Sequence, residues 1–352
     1  MKRLSRYLLL ICLSVFCVIM SGRAAYAAET VCSTKAEVQR ELTEQLSARG
    51  ISELVVTTDF KMGQKDIAEV FDEASLANGK LYGTSLPYST TVLGGKYTYK
   101  MTLDPTSFVK VAVFKSEKKL YMACLKALYT CDFTKRFYTG DKGCYDVMYL
   151  VLKQHPEYNY SIYASKYGSL SGKTFCGFKP SEAFSKKKIQ SMRKETDKKA
   201  DAIIQNVVNS GMSNSDKVTA LHRYVVENCV FDRDAGETAF TAYGCLVEGR
   251  AVCQGYTAAM NLLLSKCGIY SIGVAGDIIS SGESHAWNYV KCDGLKYLDA
   301  TWDDPVPDRG TNIITEFLLT DESYISKTHS WNKTEYSEKY INYSMKYLKK
   351  VL

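Results

Sequence analysis

The sequence predicts an α+β protein in which a helix carrying a candidate nucleophile packs on an antiparallel sheet. Three observations lead there. After Cys253, the residues Met260, Leu263, Leu264 and Cys267 recur at i, i+3, i+4 and i+7, which lines one face of a helix, and Gly268 follows as its stop. The runs Ser284–Val290 and Leu295–Trp302 flank Asp293-Gly294, a dipeptide that closes antiparallel hairpins. Upstream, a helical pattern at Lys35–Arg49 and a strand pattern at Leu54–Asp59 begin a separate mixture of both element types.

Taken in order, residues 1–27 read as a secretory signal peptide. Lys2, Arg3 and Arg6 precede the apolar stretch Tyr7–Met20, and Ala25-Tyr26-Ala27 has the small-residue form of a cleavage site. The apolar stretch is short of the ~20 residues that span a bilayer. Cleavage after Ala27 is therefore expected, giving a secreted or cell-surface chain with no stable membrane span. Residues 28–180 are expected to form an N-terminal α+β domain. Its helices fall at Lys35–Arg49, Asp66–Ala77 and Cys144–Gln154, and its strands at Leu54–Asp59, Tyr97–Leu103, Val109–Phe114 and Tyr158–Ala164. Nothing in it carries a catalytic constellation, and His155, before Pro156, reads as a turn residue. It is expected to serve as a packing platform.

Residues 181–212 are expected to form a linking helix, basic on its outer face over Lys186–Asn209. The domain of interest is then 213–330. Ser213 offers an N-cap with Asp216 three residues on, and Val218, Leu221, His222 and Val225 form an inner stripe, with His222 a partly buried helix residue. Tyr270–Asp277 reads as a strand and Phe317–Asp321 as a closing strand. Residues 331–352 form an amphipathic helix through Tyr336, Tyr340, Tyr343 and Tyr347, expected to dock on the fold because its face is only moderately apolar.

The 352 residues suit about two domains, and 46% hydrophobic content is ordinary for a globular chain. The net charge of +7 falls to +3 once the four basic residues of the leader are removed. No basic patch with interleaved aromatics occurs, so nucleic acid is excluded as an expected partner. Export permits disulfides, but the ten cysteines beyond the leader show no C-x-x-C pair and no zinc spacing. With Cys253 free, nine remain, so at least one more is unpaired. No cofactor and no metal are expected; a zinc site from Cys253, His285 and Cys292 has no supporting spacing.

Cys253 lies between Gly249 and Gly255 where the helical pattern starts. Unpaired backbone N–H groups and the helix dipole stabilise a thiolate there, and the thiolate is the nucleophilic form. A histidine on one strand and an aspartate on its neighbour suit the remaining roles: His285 takes the proton, and Asp299 fixes the imidazole tautomer. One count opposes the simplest geometry. A two-residue Asp293-Gly294 turn pairs Cys292 with Leu295, so Asp299 would face Asn288 and point away from His285. An odd shift is therefore expected between Lys291 and Lys296. Trp287 and Trp302 are expected as core or cleft walls, and Asp303 and Asp304, before Pro305, as turn residues.

The runs Gly249-Arg-Ala-Val-Cys-Gln-Gly-Tyr256, Ser284-His-Ala-Trp-Asn288 and Tyr297-Leu-Asp-Ala-Thr-Trp-Asp-Asp-Pro305 resemble bacterial members of the transglutaminase-like superfamily. The resemblance extends from Asp216 to His329. Three separated motifs in order make it specific. It implies a papain-like core, with Cys253 as nucleophile, His285 as base and Asp299 as orienter, and thioester chemistry on protein or peptide amides. It does not fix the acceptor: water gives peptidase or deamidase activity, and an amine gives cross-linking. Hydrolysis ranks first because water needs no second substrate site. The alternative is an extracellular interaction module of the same fold that performs no chemistry.

Overall fold

In the computed structural model of the chain, the described residues are 30–348 apart from 49, 83–86, 105–107, 140–142, 171–172, 308–309 and 312. The expected signal peptide, residues 1–27, lies outside them. Among the described residues no helix is long and apolar enough to cross a membrane. The chain divides into two units, Met1–Val109 and Lys110–Leu352.

In the first unit the helix Lys35–Ser47 is capped by Thr34, whose side chain accepts from the Glu37 N–H, and it buries Val38, Leu42 and Leu46. A second helix, Gln64–Ala77, begins two residues earlier than the sequence pattern suggests. A four-stranded sheet runs in the order Val31–Cys32, Glu53–Thr58, Lys96–Thr102, Tyr88–Leu93. The last strand was not expected. All six of its residues are exposed, so it has no apolar alternation to read. Gly94 and Gly95, both at positive φ, close its hairpin.

The second unit takes in residues 110–180, which the sequence pattern groups with the N-terminal domain. The reason is packing. Helices Glu117–Tyr129 and Cys144–Gln154 bury Leu125, Leu128, Met148 and Val151 in the same apolar core as Ile272, Trp287 and Tyr297. The helix Lys186–Val207 likewise buries Ile189, Met192 and Ile203 within this unit and is not a free-standing linker. The strand expected at Tyr158–Ala164 starts later, at Ile162, because Pro156–Tyr158 form a 3-10 turn. The expected N-cap is present: Ser213 and Asp216 exchange hydrogen bonds in a capping box.

The sheet that carries the site has the strand order Leu295–Leu298, Ser284–Lys291, Ser271–Ile278, His329–Ser330. The helix Cys253–Lys266 packs on the face holding Asn288, Val290 and Leu298. Trp287, Tyr289 and Tyr297 occupy the other face and join the first core. Covered on both faces, the middle strands bury consecutive residues. Phe317–Asp321 is not the closing strand. Leu319 takes a left-handed φ of 56° that turns the chain, and only Thr320 bridges to Tyr297. The sheet is closed instead by His329–Ser330, paired with Ile278 and Asp277. The C-terminal helix Glu338–Leu348 docks as expected, with Tyr340 and Ile341 buried and the Tyr340 ring 5.5 Å from that of Tyr121.

Candidate active site

Cys253 is the first residue of the central helix, after Val252 at the N-cap, and it is partly exposed. The helix start is held by close packing. A Cβ on Gly255 would lie 2.3 Å from the Ala239 carbonyl and 2.8 Å from the Ala251 Cβ, so glycine alone lets the 237–251 segment sit against this turn. The helix interior is tied to the sheet by buried amides. Asn288 donates to the Thr257 carbonyl at 3.0 Å and to Asn261 Oδ1 at 2.8 Å, and Ser271 Oγ donates to the same oxygen at 2.6 Å.

The expected odd shift is present. Lys291 pairs with Leu295 and Asn288 with Leu298, leaving a three-residue loop, Cys292–Gly294, in which Asp293 and Gly294 both have positive φ. That register sets Asp299 opposite Trp287, on the same face as His285. The contact follows: His285 Nε2 donates to Asp299 Oδ2 at 2.7 Å. The other ring nitrogen is left for Cys253, which lines the same cavity as His285 and whose sulfur acts electrostatically on the ring. The structure thus joins His285 to Asp299 by a hydrogen bond and sets Cys253 beside His285 at one cavity.

Asp299 is 1% exposed, and four donors converge on it. Oδ1 accepts from the backbone N–H groups of Thr301 at 3.0 Å and Trp302 at 3.2 Å. Oδ2 accepts from His285 and also from His329 Nε2 at 3.1 Å. Burial works to raise its pKa, but the two imidazoles outweigh that and hold it well below the usual carboxylate range. Burial works to lower the His285 pKa, but the Asp299 carboxylate, and then the Cys253 sulfur, push it up to about 10. The arrangement thus favours an imidazolium held beside the Asp299 carboxylate.

Cys253 and His285 open onto a cavity of about 690 Å³. Phe231, Phe240, Trp302 and Val306 give it apolar walls, and the Arg233–Glu283 ion pair, at 3.3 Å, adds the charged part. Trp302 is a cleft wall as expected, whereas Trp287 is fully buried core stacked 5.9 Å from the His285 ring. Asp303 and Asp304 lie in turns but are buried. Asp303 accepts the Phe317 N–H at 3.0 Å and lies 3.0 Å from His222, while the Tyr256 hydroxyl donates to Asp304. Burial raises the Asp303 pKa, an effect opposed by His222. Both acids, with His222, therefore brace the chain behind the site. His155 is likewise a buried structural residue, bonded to Glu157, Tyr121 and Ser344.

Cys292 follows the far end of the strand Ser284–Lys291, of which His285 is the second residue, roughly 20 Å away at ~3.3 Å per residue. A shared metal site with Cys253 and His285 is ruled out on that distance. Among the described residues, the group of three whose ligating atoms converge, all within 4.8 Å, is His285, Asp299 and His329. Those atoms are already joined by N–H···O bonds. His329 is the residue that sequence reasoning missed. It stands at the end of the resembling stretch, but a two-residue strand has no periodicity to mark it.

The site defines a cysteine–histidine–aspartate arrangement at the start of a helix packed on an antiparallel sheet. Residues 201–301, the stretch that holds all three residues, match the family model described as Transglutaminase-like superfamily. No curated protein matches the chain. Solved structures with distant similarity include a TGase (12% identity, TM-score 0.29, covering 86% of this chain and 64% of that one). A candidate cysteine protease from Cytophaga hutchinsonii shows 12% identity and a TM-score of 0.28, covering 44% of this chain and 65% of that one. A candidate protease from Parabacteroides distasonis shows 10% identity and a TM-score of 0.24, covering 70% and 39%. This chain spans less than two thirds of the length of each.

Proposed function

We propose that the protein is an exported cysteine-dependent acyl-transfer enzyme that acts on protein or peptide amides. The observation that carries this reading is the His285–Asp299 hydrogen bond with His285 and Cys253 together at the wall of one open cavity. Asp299, acceptor-only when ionised, keeps a proton on His285 Nε2 and so presents Nδ1 to the thiol. The thiol proton moves to Nδ1, and the Cys253 sulfur attacks the amide carbonyl. The first backbone N–H groups of the central helix, which lack intrahelical partners, face developing negative charge at that position. His285 then returns the proton to the leaving amine, and a thioester remains on Cys253. Water releases the acid, which is peptidase or deamidase chemistry; an amine would give a cross-link. Hydrolysis is favoured because it requires no second substrate site.

Iodoacetamide labelling with peptide-level mass spectrometry tests the assignment. Cys253 is expected to alkylate fastest of the ten cysteines beyond the leader, and Cys253→Ala to remove that signal. Rapid labelling that survives the substitution would sink the proposal. Incubation with candidate protein substrates distinguishes the outcomes, because cleavage, deamidation and isopeptide formation change mass differently. Export is tested by N-terminal sequencing of the protein recovered outside the cytoplasm, with a start at Ala28 expected.

A further inference from the structure

His329 has no part in the relay just described, yet it touches the oxygen on which the relay depends. Its Nε2 lies 3.1 Å from Asp299 Oδ2, the oxygen that also receives His285. Its Nδ1 lies 2.8 Å from Thr328 Oγ1. The ring is 1% exposed and enclosed by aromatic side chains, with centroids 4.5 Å from Trp302, 4.8 Å from Trp287 and 5.5 Å from Phe317. Such a cage would hold a phenyl or isobutyl group with no polar atoms to desolvate. The burial of an imidazole there is offset only by the hydrogen bonds it makes.

The backbone is arranged to bring it in. His329 pairs with Ile278 across the sheet edge, and Gly276, on the same sheet face as Ile278, leaves the needed clearance. A Cβ on Gly276 would lie 2.2 Å from the Ser330 carbonyl and 2.8 Å from the Trp287 ring. The carboxyl torsion of an aspartate is a broad, weakly preferred one. The carboxylate is rigid, so one torsion directs both oxygens, and it is held jointly by the two backbone N–H groups on Oδ1 and by the two imidazoles on Oδ2.

We propose that His329 is a positioning residue, whose Nε2–H holds Asp299 Oδ2 in the orientation that meets His285. This rests on the relay proposed above. Because an ionised Asp299 can only accept, both Nε2 atoms carry protons, and the two rings share one oxygen. His329 thereby governs His285 without touching substrate.

Two variants separate positioning from packing. His329→Gln keeps an N–H donor of similar reach, and His329→Leu fills the apolar cage without one. A residue needed only for packing would tolerate leucine at least as well as glutamine. The readouts are thermal unfolding and the iodoacetamide alkylation rate of Cys253 at pH 7, with His285→Asn alongside. His329→Leu is expected to melt no lower than His329→Gln. It is also expected to alkylate about tenfold or more slowly than wild type, the scale of loss when an orienting partner is removed, while the glutamine variant stays within about threefold. Wild-type alkylation in His329→Leu, with a slow His285→Asn, would overturn this inference and leave the relay standing. Equal slowing in both His329 variants together with lower melting would also overturn it, since that is a packing effect. A wild type no faster than His285→Asn would refute the relay and this inference with it.

Discussion

Asp299→Asn is the substitution expected to disturb the relay most. The His285 side chain is 8% exposed, and its burial opposes the charged form. Its pKa nevertheless stands at about 10 instead of 6.5, with Asp299 the foremost of the groups that raise it. At about 1.4 kcal/mol per pH unit, the difference corresponds to roughly 5 kcal/mol favouring the imidazolium. Asparagine is nearly isosteric, and its oxygen can still accept the Thr301 and Trp302 N–H groups. Its amide then points two N–H bonds at two imidazole N–H groups, and one side must give way. The ring of His285 is expected to move its proton to Nδ1, which disables it as a base, and to titrate at least about two pH units lower. Because the folded His285 binds its proton more tightly than the unfolded chain, its stabilisation is fully present below about pH 6.5 and fades as pH climbs through about 10. Asparagine should flatten that fall. Two assays follow: Cys253 alkylation rate against pH, and urea unfolding at pH 6 and pH 9. Loss of rapid labelling near neutrality, by a factor on the order of 10³, and a smaller stability difference between the two pH values are expected. Rate profiles that superimpose would refute the argument that Asp299 controls His285.

Two further substitutions probe the scaffold around the relay. Asn288→Leu removes the buried donor to the Thr257 carbonyl and Asn261 Oδ1, leaving Thr257 without that partner; a loss of about 2–3 kcal/mol in urea unfolding is expected, and a change below about 0.5 kcal/mol would show that the amides do not tie the helix to the sheet. Gly276→Ala puts a methyl 2.2 Å from the Ser330 carbonyl, so the edge strand must shift. About 1–3 kcal/mol of destabilisation and slower Cys253 alkylation are expected together, and unchanged alkylation would separate the edge strand from the relay.

How much of the fold and site was legible in the sequence depends on how local each determinant is. The helix Cys144–Gln154 and the Ser213–Asp216 capping box are written in neighbouring residues, and both form where the pattern puts them. The three candidate relay residues stood out because helix start, strand and returning strand each have a local signature. The unit boundary was not. Leu125, Met148 and Val151 form apolar stripes that would suit any core, and only the tertiary fold reveals that theirs also contains Ile272 and Trp287. His329 was hidden for a related reason. It reaches the site through two backbone pairs at a sheet edge and a glycine opposite, and none of those leaves a period in the sequence.

The hairpin shows which constraint decides when two local rules conflict. Asp293-Gly294 favours a two-residue turn, which would pair Cys292 with Leu295 and carry Leu298 off the helix-packed face and Tyr297 onto it. The chain instead pairs Lys291 with Leu295 and widens the turn by one residue, so burial of Tyr297 and Leu298 outweighs turn preference. Deleting Cys292 tests this ordering. If burial fixes the register, Asp293-Gly294 closes the same Lys291–Leu295 pair as a two-residue turn, Asp299 still faces His285, and Cys253 keeps its rapid alkylation despite the lost packing of a buried thiol. If a three-residue turn fixes the register, Leu295 slips to Val290, every later side chain changes face, and a folded protein would be left with slow alkylation. That second result would remove burial as the force that sets the register and brings Asp299 to His285.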